Sequence, residues 1–200
     1  LAALPLVGLT AWELLFEKMA FVAHKDANKG KTLLVINGAG GVGSMLTQLA
    51  HWAGLTVIAT ASPANFAWLT AHGVDQPLDY HKDWQAEIPR LVDGVAILYA
   101  PEPYLAAATA LIAPLGHIGT IVTPTQPLDL AGLKPQAASF DQEYMFTKSD
   151  YGVASKSTRS ILDRLVSLYS AGDPDASVTP TAPMDLSHPV QATAATHARP

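Results

Sequence analysis

The residues best suited to chemistry stand together near the start of the chain, in Gly38-Ala39-Gly40-Gly41-Val42-Gly43, a G-x-G-x-x-G spacing. They follow a short apolar run, Thr32 to Asn37, and open a stretch with helical periodicity. In that setting each glycine has its own physical task. The first permits a tight turn, the second lets backbone approach a ligand for want of a Cβ, and the third lets a helix pack closely on a sheet. Unpaired N–H groups at the positive end of that helix then suit a diphosphate. Gly38, Gly40, Gly41, Val42 and Gly43 are therefore the expected cradle of a dinucleotide.

The end of the next strand, about twenty residues on, is where NAD-selective sites place an Asp or Glu on the ribose 2′-OH. Here it reads Thr60-Ala61-Ser62-Pro63-Ala64-Asn65, and no acidic residue occurs between Asp26 and Asp75. A carboxylate there would repel a 2′-phosphate, so its absence favours NADP(H), with NAD(H) still open. No Lys or Arg takes its place. Thr60, Ser62, Asn65 and Tyr80 are left as candidates for the adenosine end.

These residues need a scaffold of alternating strands and helices. Strands are expected at Thr32–Asn37, Leu55–Ala61, Gln76–Tyr80, Gly94–Tyr99, His117–Thr123 and Ala138–Phe146. Between them the spacing predicts helices at Gly41–Ala53, from Ser62-Pro63 to His72, weakly at Asp83–Leu91, and at Pro103–Ala113. Thr10-Ala11-Trp12-Glu13 reads as a capping box opening a helix to about His24, and residues 155–171 as an amphipathic helix. Such alternation means βαβ units: a six-stranded parallel sheet, order 3-2-1-4-5-6, doubly wound in the Rossmann α/β manner. The division expected is a dinucleotide-binding domain over 1–172 and a return segment over 173–200. The chain starts inside an apolar segment, Leu1 to Pro5, and is expected to be part of a longer protein.

Composition narrows the function classes. With 49% hydrophobic and 14% charged residues the chain is globular, and a net charge of −5 without basic clusters speaks against nucleic acid. No apolar run has the length of a membrane span; Ala2 to Leu15 is broken by Pro5, Gly8 and Glu13. The absence of cysteine excludes disulfides and thiolate zinc sites and is compatible with the expected cytoplasmic location. The seven histidines form no ligand-spaced cluster and read as surface or core residues. Trp12, Trp52, Trp68 and Trp84 read as packing residues on helices. Tyr144-x-x-x-Lys148 has the catalytic spacing of short-chain dehydrogenases. That family's later glycines would fall on Val42 and Ser44, and a strand would separate the two side chains, so the match reads as chance.

Ala2-Ala-Leu-Pro-Leu-Val-Gly-Leu-Thr-Ala-Trp-Glu13, Asn37 to Gly43, Ile58-Ala-Thr-Ala-Ser62 and Leu78-Asp-Tyr80 together resemble the medium-chain dehydrogenase/reductase superfamily. Within it they resemble the zinc-independent quinone oxidoreductase branch, often labelled zinc-type alcohol dehydrogenase-like, and Glu143-Tyr-Met-Phe-Thr-Lys148 resembles one of its subgroups. The resemblance implies a two-domain enzyme, with a GroES-like catalytic domain outside this chain. It also implies hydride transfer from NADPH to a small molecule, a quinone, enone or carbonyl, and a homodimer paired through the edge strand. Alcohol dehydrogenation and a non-catalytic dinucleotide-sensing module are the alternatives. The family's zinc ligand falls on Leu6, which cannot bind metal, so no zinc is expected. By position, Tyr99, Ala100, Val122 and Thr123 would lie along the nicotinamide ribose and Thr10 on the nicotinamide side. No catalytic acid or base is expected within these residues.

Overall fold

Thr32–Ile36 forms β1, buried at every position as a continuous apolar run in a parallel sheet requires. The computed structural model describes residues 4–153 and 158–172. Around β1 the chain adds α1 (Leu4–Trp12), α2 (Gly41–Trp52), β2 (Thr56–Ala61), α3 (Phe66–Ala71), β3 (Gln76–Asp79) and β4 (Val92–Ile97). It continues through α4 (Leu105–Leu111), β5 (Ile112–Thr120), β6 (Ser139–Gln142), the single turn α5 (Thr147–Asp150) and α6 (Thr158–Ser170). The six strands form one sheet in the order β3-β2-β1-β4-β5-β6, and every pairing is parallel, as the alternation predicted. The order reverses between β1 and β4, which opens a crevice at the carboxyl ends of those two strands.

Alternate residues of each strand feed opposite cores. Leu33 and Val35 of β1 pack with Leu9, Leu14 and Leu15, with Leu46 and Leu49 of α2, and with Ile161 and Leu165 of α6. Leu34 and Ile36 face the other way, toward Trp84, Leu105, Ala108 and Leu133. The first layer reaches the sheet through two glycines. A Cβ on Gly94 would stand 2.9 Å from Met19 and Phe21, and one on Gly119 2.6 Å from Leu14. The segment after α1 can lie flat on β4 and β5 only because those side chains are missing.

Several expected elements differ. Thr10 does not cap a helix: α1 is already running at Leu4, and the Thr10 hydroxyl donates back to the Leu6 carbonyl at 2.9 Å. The helix does not continue to His24 either. It passes into a π-helical stretch, Glu13–Lys18, and ends there, leaving Val22 exposed. Asp83–Leu91 shrinks to a 3-10 turn at Trp84–Glu87, since Pro89 denies a longer helix its N–H.

The fifth strand starts earlier than expected, with a bulge: Val92 pairs with Ile112 but Gly94 with His117. It also ends earlier, at Thr120, and the sixth strand stops at Gln142. Tyr144 therefore lies beyond the strand in which it was expected. Trp12, Trp52 and Trp84 are core residues, while Trp68 is half-buried with its ring stacked on His72 at 3.7 Å. The expected return segment, 173–200, lies outside the described residues.

Candidate functional site

The crevice at the sheet's switch point is floored by the glycine turn. Asn37 follows β1 in the left-handed region, φ 67°, a conformation asparagine tolerates better than most residues. Its N–H donates to the Thr60 hydroxyl at 3.1 Å, and the Gly38 N–H to the Thr60 carbonyl at 3.0 Å, so β2 holds the turn from behind. A Cβ on Gly38 would stand 2.7 Å from that of Ala59, and one on Gly43 2.5 Å from the carbonyl oxygens of Asn37 and Gly38. These two glycines are packing requirements.

Gly40 differs. It has ordinary φ, −72°, and a Cβ there would meet first the Asn37 side-chain nitrogen, at 3.2 Å. No side chain caps α2 at this end. The Ser44 N–H bonds the Gly40 carbonyl at 2.8 Å, but the N–H groups of Gly41, Val42 and Gly43 precede any intrahelical acceptor. Open backbone, unpaired donors and the positive end of a twelve-residue helix together fit a diphosphate.

The neighbouring strand ends supply the rim. Ser62 is half-buried and its hydroxyl accepts from the Asn65 amide at 3.1 Å. Ala61 pairs with Asp79, so Ser62 and Tyr80 follow directly on adjacent strand ends. Tyr80 is exposed, with its ring 4.0 Å from that of His81. The Asp79 carboxyl accepts the His81 N–H at 3.0 Å and meets its Nδ1 at 2.9 Å; the bond from that N–H, then the one from the ring, hold it below the usual carboxylate range. Tyr99 and Thr123 are exposed and Ala100 and Val122 half-buried, beyond β4 and β5.

Two candidates stand apart from this surface. Thr60 is buried, and its hydroxyl accepts from the turn instead of facing the crevice. Thr10 is buried on α1, against Met145 Sδ at 3.4 Å. One turn before it, Val7 reaches the neighbourhood of Gly41, 3.4 Å from where a Cβ there would sit.

A cluster that no local pattern announced joins the segment after α1 to α5. Lys148 on α5 donates to Glu13 at 2.8 Å and to Glu17 at 2.5 Å, both on the π-helical stretch. Glu143, whose N–H bonds the Thr120 carbonyl at the end of β5, is 5% exposed, and its Oε1 has no partner. Burial, then the hydrogen bond to Glu13 and the charge of Glu13, push the Glu143 carboxyl up to about 8. Among the described residues no group of three or more His, Asp or Glu is placed to hold a metal, and no helix is long and apolar enough to cross a membrane.

No family model matches the chain. It is 40% identical over 152 residues to a zinc-type alcohol dehydrogenase-like protein of Staphylococcus epidermidis, an alignment covering 74% of this chain and 45% of that one. Among solved structures it resembles a candidate zinc-dependent alcohol dehydrogenase from Rhizobium etli, with 30% identity, TM-score 0.82, and 98% and 59% of the two chains covered. A quinone oxidoreductase from Coxiella burnetii shares 29% identity at TM-score 0.69, covering 85% of this chain and 48% of its own. A mycobacterial protein solved in complex with NADPH shares 28% at TM-score 0.73, covering 88% and 55%. The fold and the glycine turn define a Rossmann-like α/β domain. The chain belongs to the medium-chain dehydrogenase/reductase superfamily, and it spans about half the length of the relatives it matches.

The buried carboxyl makes stability depend on pH. Between the ordinary Glu value of 4.5 and about 8 the folded chain holds a proton that the unfolded chain has lost. Stability is therefore full below the lower value and declines as pH rises through the window. The expected result is a wild-type melting temperature that falls from pH 4.5 toward pH 8, and a Glu143→Gln variant that lacks this slope and melts higher than wild type at pH 8. Equal slopes in the two proteins would contradict the assignment.

Proposed function

We propose that the chain is the nicotinamide-dinucleotide-binding part of an oxidoreductase that transfers hydride from NADPH to a quinone or an activated alkene or carbonyl, without zinc. The observation that carries this reading is the uncapped start of α2 over an open Gly40, at the point where the strand order reverses. The NADPH complex of the mycobacterial protein and the quinone oxidoreductase from Coxiella burnetii support it as relatives of the same fold. The zinc-free reading rests on Leu6, an apolar side chain at the superfamily's ligand position.

In this reading the N–H groups of Gly41, Val42 and Gly43 bind the diphosphate, and Gly38 and Gly43 keep α2 close enough to β1 for them to do so. Ser62, Asn65 and Tyr80 donate to the adenosine 2′-phosphate; Tyr99, Ala100, Val122 and Thr123 border the nicotinamide ribose. Thr60 acts behind the turn, and Thr10 through the placement of α1. The nicotinamide supplies the hydride when bound, and the chain orients it. A second copy of the chain would extend the sheet at β6, where Tyr144 and Phe146 stand 59% and 45% exposed beside an edge strand.

Two measurements follow. The donors at the adenosine end are uncharged, so calorimetric titration should give a preference for NADP(H) over NAD(H) of only about tenfold. Ser62→Asp should turn that preference toward NAD(H), by repelling the phosphate and offering the 2′-OH an acceptor. A wild type that binds NAD(H) better, or a ratio unchanged in the variant, would refute the assignment of the 2′-phosphate site. Light scattering at micromolar concentration should find a dimer, and a monomer would refute pairing through β6.

A further inference from the structure

The loops that leave β4 and β5 border the nicotinamide end of the crevice, and they are tied to each other twice. At the root, the buried Thr120 hydroxyl donates to the Ile97 carbonyl at 3.0 Å and accepts the Val122 N–H at 3.2 Å. At the tip, one oxygen of Glu102 accepts from the Thr125 N–H, from the Thr125 hydroxyl at 3.0 Å and from the Gln126 N–H at 3.2 Å. Tyr99 and Ala100 lie in sequence between Ile97 and Glu102, and Val122 and Thr123 between Thr120 and Thr125. Both ties therefore bracket the same four residues.

The backbone around the tip is stiff. Pro101 and Pro103 flank Glu102, and Pro124 precedes Thr125, so each has a fixed φ. The Pro101 carbonyl accepts from Tyr104 and Leu105, which sets Glu102 on a tight turn at the start of α4. By contrast, residues 121–130 contain no helix or strand; Ile121 and Leu128 rest on the two cores, and between them the bonds to Glu102 fix the loop's course. The Glu102 carboxyl is held below the usual range, first by its own backbone N–H and then by that of Thr125, so it accepts as an anion across ordinary working pH.

We propose that Glu102 is a positioning residue, a clip that holds the β4 and β5 loops at one spacing and so pre-forms the nicotinamide half of the dinucleotide site. The inference rests on the dinucleotide reading above. Without the clip, the loop after β5 must be ordered when the cofactor arrives, and that cost falls on the nicotinamide half alone. The adenosine half, built on β2 and β3, has no share in it.

The test compares NADPH with adenosine 2′,5′-bisphosphate, which lacks the nicotinamide half, by calorimetry on wild type, Glu102→Ala and Glu102→Gln. Glu102→Ala should bind NADPH about five- to tenfold more weakly, the loss expected when a few side chains must be immobilised on binding. It should bind the bisphosphate as wild type does. Glu102→Gln keeps an oxygen acceptor and should recover part of the loss. Equal weakening for both ligands, or unchanged NADPH affinity in Glu102→Ala, would overturn the clip while leaving the dinucleotide reading intact. A wild type that binds neither ligand would overturn both.

Discussion

The closeness of α2 to β1 is the constraint on which the rest of the site depends. With 2.5 Å between a hypothetical Gly43 Cβ and two backbone carbonyl oxygens, no side chain fits at that position, and backbone cannot move aside as a flexible side chain can. Gly38 meets the same limit against Ala59 on β2. Because the helix starts immediately beyond the strand, its unpaired N–H groups stand over the crevice where the sheet order reverses. Thr60, on the adjacent strand, completes the arrangement by accepting twice from the turn, through its hydroxyl and through its carbonyl. A longer or looser connection would leave the same donors to solvent.

Around this point the packing is asymmetric. On one face the segment from Leu14 to Phe21 lies against β4 and β5 through Gly94 and Gly119. The π-helical geometry of Glu13–Lys18 is where Glu13 and Glu17 both reach Lys148, so the widened helix and the partly buried ionic cluster belong together. Removing Lys148 would leave the buried Glu13 without its cation, which is costlier than the pair is favourable. On the other face the core around Trp84, Leu105 and Leu133 carries no such cluster among the described residues. Functional polarity therefore gathers at the carboxyl ends of the strands and along the first face.

The sheet was legible because its signals are local. Continuous apolar runs, turn residues and the glycine pattern each act over a few positions, and β1 to β4 lie close to where those signals put them. The glycine turn was legible for the same reason. What failed was of two kinds. Thr10-Ala-Trp-Glu13 has the residues of a capping box, but the apolar stretch before it is itself helical, and hydrogen bonding back to Leu6 is what a threonine inside a helix does. The apolar neighbours of Tyr144 predict a strand there, yet Met145 packs against Thr10 of α1 and the chain has already left the sheet.

The second kind concerns contacts with no sequence signature at all. Glu13 and Lys148 are 135 positions apart, and Glu102 and Thr125 are 23 apart in separate loops. The left-handed Asn37 could have been suspected from its place before the first glycine, since asparagine is enriched in that conformation.

In the proposed site Gly40 is open so that a diphosphate can reach the backbone, whereas Gly43 is closed by packing. Calorimetric titration of NADPH into Gly40→Ala tests it most directly. A Cβ there comes tightest, at 3.2 Å, on the movable end of the Asn37 side chain and stands at an ordinary 3.5 Å from the Asn37 carbonyl oxygen, with φ unstrained, so the variant should keep the wild-type melting temperature. It should nevertheless bind NADPH at least about tenfold more weakly, roughly 1.4 kcal/mol. A Gly40→Ala variant that folds as wild type and binds NADPH with undiminished affinity would contradict it.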